Sequence, residues 1–116
     1  MKLGIHILID ITCDNIEILN SLEKLEELSD KLIKGCGLTK LSRIKHIFKP
    51  QGVTLITLLS ESHISIHTWP ENKSICLDIF SCNNNLDIEK IGEILSQYLV
   101  ICDIKLKMIE RTISKM

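Results

Sequence analysis

From residue 3 to residue 11 apolar and polar positions alternate. Leu3, Ile5, Ile7, Ile9 and Ile11 fall on one side, with Gly4, His6 and Asp10 on the other. A period of two predicts a half-buried strand. The period then changes. Ile18, Leu22, Leu25, Leu28 and Leu32 recur at helical spacing with Glu and Lys between them, which predicts one amphipathic helix of about five turns. Asp14, with Glu17 three residues on, has capping-box spacing at its start. Gly35 and Gly37 mark its end.

Alternation returns in TKLSRIKHIF (39–48), where Leu41, Arg43, Lys45 and Ile47 oppose Ser42, Ile44, His46 and Phe48. Pro50-Gln51-Gly52 reads as a turn. GVTLITLL (52–59) and HISIHTW (63–69) are β-branched, apolar strand candidates joined by Ser60-Glu61-Ser62. Pro70 and Glu71 interrupt before SICLDIFSC (74–82), another strand, and Asn83-Asn84-Asn85, a polar loop. Asp87 can cap a second helix with Ile88, Ile91, Leu95 and Leu99 on one face, and ICDIKLKMIERT (101–112) alternates as a final strand. The order is β-α-β-β-β-β-α-β. Two helices cannot cover both faces of a six-stranded sheet. The expected fold is therefore α+β, a two-layer sandwich of one mainly antiparallel sheet with both helices on one face. The other face needs a partner or water.

Length and charge narrow the function. At 116 residues the chain is expected to be one domain with a real core. A net charge of −1 and a pI near 6.4 argue against nucleic acid and against a polybasic membrane contact. No apolar run has a membrane-spanning length, and MKLGIHILIDITCD lacks the apolar core of a signal peptide. The expected setting is cytoplasmic. Cysteines 13, 36, 76, 82 and 102 form no C-x-x-C pair, so a disulfide framework or cysteine zinc site is not expected. Each reads first as a small buried residue; Cys76 is expected in the core.

One stretch does not fit a bland reading. SESHISIHTWPE places a carboxylate (Glu61), a hydroxyl (Ser62) and two imidazoles (His63, His67) at the join of two core-like strands. His63 and His67 share a face of one strand about 13 Å apart, too far for one metal ion. No metal is expected from them, and His6, His46 and His63 read as structural. Trp69 reads as a filler of core or interface.

Three blocks together carry a resemblance: F-x-P-x-G-V-T from Phe48, SESHISIHTWPE, and D-I-F-S-C ending at Cys82. They resemble the prokaryotic class of S-adenosylmethionine decarboxylases, pyruvoyl-dependent enzymes of spermidine synthesis, over nearly the whole chain. The resemblance implies self-cleavage between Glu61 and Ser62, giving a β chain (1–61) and an α chain (62–116). Residue 62 would become the covalent pyruvoyl cofactor, which forms a Schiff base with the substrate. It implies His67 as the processing base, Thr54 as its support where the family usually has serine, and Cys82 as the proton donor. It also implies Phe48 stacked on adenine, Glu71 on the ribose hydroxyls, and a two-fold homodimer with active sites at the interface. Asn72-Lys73-Ser74 departs from the small and aromatic residues that follow W-P-E in the family. That departure leaves open a pyruvoyl arginine or ornithine decarboxylase on the same scaffold. A non-catalytic regulatory paralogue is the alternative from another class.

Overall fold

The computed structural model describes residues 1–82 and 86–114; the expected loop at 83–85 lies outside them. Six strands, β1 (Lys2–Cys13), β2 (Lys40–Ile47), β3 (Val53–Leu59), β4 (Ser62–Trp69), β5 (Ser74–Ser81) and β6 (Ile101–Thr112), form one sheet in the order β2-β3-β4-β5-β1-β6. Every neighbouring pair is antiparallel. The helices are α1 (Ile16–Leu19), α2 (Leu22–Gly35) and α3 (Ile88–Tyr98), and Pro70–Asn72 make one 3-10 turn. The expected α+β sandwich with its helices on one face is the fold observed.

Alternation sets which face is covered. Ile5, Ile7, Ile9 and Ile11 of β1 are buried, and their neighbours Ile75, Leu77 and Ile79 of β5 continue the same face. Ile64 and Ile66 of β4 and Leu55 of β3 extend it. Onto this layer α2 lays Leu25, Leu28 and Leu32, and α3 lays Ile91 and Leu95, all fully buried. Each such side chain contributes about 1.5–3 kcal/mol by leaving water. Edge strand β2 is tied to α2 by charge instead: Arg43 Nη2 reaches Asp30 Oδ1 at 2.7 Å, and Lys45 Nζ reaches Glu26 at 3.3 Å.

The first helix differs from its prediction. It is two pieces, broken at Asn20 and Ser21, because both polar side chains bind backbone. Ser21 Oγ accepts from Lys24 N at 3.2 Å and caps α2. Asn20 Oδ1 accepts from Gly52 N at 2.9 Å and pins the 50–52 turn. The break also frees the Leu19 carbonyl to accept from the buried Thr68 hydroxyl at 2.6 Å. Asp14 does not cap: Asn15 holds that position without a side-chain cap bond. Its amide instead joins the end of α3, donating to Tyr98 O and accepting from Val100 N.

The face opposite the helices carries exposed apolar side chains toward its β2 end. Ile44 is 71% exposed and Leu58 53%. No described helix is long and apolar enough to cross a membrane.

Candidate active site

Strands β3 and β4 are joined by two residues, Ser60 and Glu61, since Leu59 already pairs with Ser62. So tight a reversal forces Glu61 to φ 60°, a left-handed conformation that costs an L residue roughly 1–2 kcal/mol. Ser62, only 7% exposed, donates its hydroxyl to Ser60 O at 3.1 Å. The register Ser62↔Ser81 brings the end of β5 alongside. Cys82 just beyond it donates its thiol to the Glu61 carbonyl at 3.0 Å. The Glu61–Ser62 peptide therefore sits in a strained turn with a nucleophile on one side and a donor on its oxygen. A cleft of about 250 Å³, lined by Thr39, Glu61 and Cys82 among others, opens onto it.

At the far end of the same strands Thr54 and His67 face each other across the β3–β4 ladder. Thr54 Oγ1 and His67 Nδ1 are 3.1 Å apart, in hydrogen-bond contact. This contact fixes the ring and leaves Nε2 as its other polar edge. Both line a cleft of about 390 Å³ with Phe48, Gly52, Trp69 and Glu71. Phe48 N donates to Gly52 O at 2.8 Å, closing the loop that carries the ring to the cleft. Gly52 has φ 107°, which only glycine adopts without strain. Trp69, read as a filler of core or interface, is not in the core: it is 42% exposed. It stands 6.4 Å from the His67 ring and walls the cleft. Its signal was its parity with His67 along the strand, a place in line with the imidazole and away from the core.

These two ends do not meet within one chain. Ser62 and His67 are five residues apart on one extended strand, about 16 Å. An odd separation also puts them on opposite faces. Ser62 shares its side with buried Ile64, Ile66 and Thr68, whereas His67 shares its own with half-buried His63 and Ser65. Glu61, Ser62 and Cys82 thus form one cluster, and Phe48, Thr54, His67 and Glu71 form another.

A model of the S-adenosylmethionine decarboxylase family matches residues 5–112. The chain belongs to that family. It is 37% identical over 108 residues to an S-adenosylmethionine decarboxylase proenzyme of Clostridium botulinum (strain Loch Maree / Type A3), covering 93% of each chain. It is 38% identical over 109 residues to one from Persephonella marina, covering 94% of this chain and 82% of that one. The crystal structure of the adenosylmethionine decarboxylase from Aquifex aeolicus VF5 superposes with a TM-score of 0.86 at 32% identity, over 98% of this chain and 94% of that one.

Other polar groups of this family member belong to neither cluster. His6, His63 and Asp78 converge on the uncovered sheet face, from β1, β4 and β5. Burial opposes the Asp78 charge, but the Ser65 hydroxyl and the His6 imidazole, with His63 near, hold its carboxyl below the usual range. Cys13 and Cys36 are buried as expected. Cys76 is not a core residue. It is half-buried on the open face, where burial first and then the hydrogen bond and charge of Asp10 push its thiol up to about 11.

Proposed function

We propose that this chain is a self-processing, pyruvoyl-dependent decarboxylase that converts S-adenosylmethionine to S-adenosylmethioninamine, the aminopropyl donor for spermidine synthesis. The observation that carries the reading is the Cys82 thiol, 3.0 Å from the carbonyl of the left-handed Glu61. In the first step Ser62 Oγ adds to that carbonyl carbon and loses its proton to a base. The thiol offsets charge growing on the oxygen. The C–N bond then breaks and an ester joins Glu61 to Ser62. Removal of the residue 62 α-proton expels the Glu61 carboxylate, and water replaces the resulting enamine nitrogen as ammonia. Chains 1–61 and 62–116 remain.

Residue 62 suits the origin of such a group, a serine buried at a strand start with its hydroxyl already held. The pyruvoyl group supplies an electron sink for loss of CO₂. Cys82 then holds the proton destined for the substrate α-carbon.

His67 and Thr54 cannot reach Ser62 of their own chain, so a second copy supplies them. Two open faces stacked about 10 Å apart bury Ile44, Ile56 and Leu58, each at least 39% exposed in one chain. In this homodimer each active site takes Glu61, Ser62 and Cys82 from one copy. The other copy supplies Thr54, His67 and the Phe48–Glu71 cleft. His67 acts as base for the α-proton, Phe48 stacks on adenine, and Glu71 accepts from the ribose hydroxyls. No metal enters these steps. Five free thiols suit a reducing cytoplasm. The relatives named above carry the S-adenosylmethionine name, and none is named for arginine or ornithine.

Intact mass spectrometry tests the reading. The expected result is fragments 1–61 and 62–116, the second blocked to Edman chemistry and trapped by hydroxylamine. Carboxyl-labelled S-adenosylmethionine should release CO₂, and arginine and ornithine should not. A single uncut chain of 13.2 kDa after long incubation overturns it and leaves a non-catalytic paralogue.

A further inference from the structure

The His63 imidazole stands outside the machinery described above. Local spacing pairs it with His67, too far for shared chemistry, but the sheet register pairs it elsewhere. His6 of β1 and His63 of β4 both lie opposite Phe80 of β5. Asp78, two residues before Phe80 and on the same side of β5, completes a triangle on three adjacent strands. His6 Nε2 is 2.8 Å and His63 Nε2 is 3.8 Å from one carboxylate oxygen, Asp78 Oδ2. All three ligand atoms lie within 4.8 Å of one another.

We propose that His6, His63 and Asp78 form a binding site for one divalent first-row transition ion, with zinc the best fit. The ligand set decides the class. Two imidazoles and one carboxylate suit zinc, iron or manganese, and lack the oxygen cage that calcium and magnesium need. Tetrahedral zinc with bonds of about 2.0–2.1 Å holds its ligand atoms about 3.3 Å apart. The two distances to Asp78 Oδ2 lie on either side of that value.

A simple hydrogen-bonded cluster explains less. His6 hydrogen-bonds that oxygen, and at 3.8 Å His63 is too far to hydrogen bond to it as well. Among the described residues His63 Nε2 has no hydrogen bond at all, yet its ring is held. It stacks on Phe80 with centroids 5.9 Å apart, and it meets the His6 ring edge-on at 6.0 Å. The remaining Asp78 oxygen accepts from the Ser65 hydroxyl, an outer contact of the kind that orients a ligating carboxylate. A cleft of about 560 Å³, bounded by Leu3, His6, His63 and Phe80, gives the ion a path in. The neighbouring cation, Arg111, lies over the Phe80 ring at 5.9 Å. The site uses none of the residues given processing or decarboxylation roles above, but it lies on the open face that the proposed homodimer covers.

The test uses the full chain and two ions. Isothermal titration with zinc should give one equivalent per chain. Cobalt should give the intense visible bands of a tetrahedral site without a thiolate charge-transfer band, which separates this site from the five cysteines. His63→Ala should weaken zinc binding at least tenfold. Ser65→Ala, which leaves all three ligands in place, should weaken it about 10–100-fold, with far-UV circular dichroism unchanged in both. No stoichiometric binding, a thiolate band, or full affinity in both variants overturns the proposal.

Discussion

Ser62→Ala and His67→Ala, each inactive alone, should restore cleavage to one another when they share a dimer. The expectation follows from β4 geometry. The two residues are about 16 Å apart on opposite faces of one strand, whereas a base that takes the residue 62 α-proton must come within about 3–3.5 Å of its α-carbon. No rotamer closes that gap. The Ser62→Ala chain retains His67, and the His67→Ala chain retains Glu61, Ser62 and Cys82. A dimer of one each has one complete site and one lacking both groups. Random pairing at equal amounts makes about half of all dimers mixed, so about a quarter of the sites are whole. Differently tagged variants are co-expressed, mixed dimers are captured through both tags, and the 62–116 fragment is measured by mass. Within captured dimers about half of the chains should be cut, every one of them the His67→Ala chain. If His67→Ala alone is cut at the normal rate, or verified mixed dimers stay uncut, the shared site is refuted.

Three further outcomes follow from the geometry. Thr54→Ala should slow cleavage at least about tenfold by freeing the His67 ring, whereas Thr54→Ser keeps the 3.1 Å contact and the rate. Timed gel analysis of fresh protein distinguishes them. Cys82→Ala removes the donor on the Glu61 carbonyl and should slow first cleavage by about 10²–10³. Asp30 carries a pH signature: burial opposes its charge, but Arg43 and then Lys40 hold its carboxyl below the usual value. A depressed folded value means stability is present above the ordinary carboxylate range and is lost as pH falls through the folded value. Asp30→Asn should flatten the acid limb of a urea-midpoint titration below about pH 4. Because Asp30 is half exposed, 1 M salt should shrink the difference. An unchanged acid limb assigns Asp30 no part in it.

Strands were legible wherever one face was buried, because alternation reports burial directly. The β1 isoleucines and the His63–Trp69 run are the clearest cases. The helix break was not legible. Leu22 keeps the apolar period across Asn20 and Ser21, and only a fold that brings Gly52 to Asn20 gives that side chain its use. For the candidate site, the motif singled out residues but not their grouping. Strand parity alone already separates Ser62 from His67, whereas the nearness of Cys82 to Glu61 depends on register between β4 and β5. Convergence of His6, His63 and Asp78 needs the order β4-β5-β1, which no local spacing encodes.

The same strand order decides what a severed backbone does next. Segment 1–61 supplies β1, β2 and β3, and segment 62–116 supplies β4, β5 and β6. Because β1 is inserted between β5 and β6, the two pieces are interlaced. To part, they must tear the β3–β4, β5–β1 and β1–β6 seams together. A nick at the hairpin therefore leaves one folded body, but the halves lose their tether once melted. Reassembly then depends on concentration, and cut material should refold poorly from dilute solution where the uncut precursor succeeds.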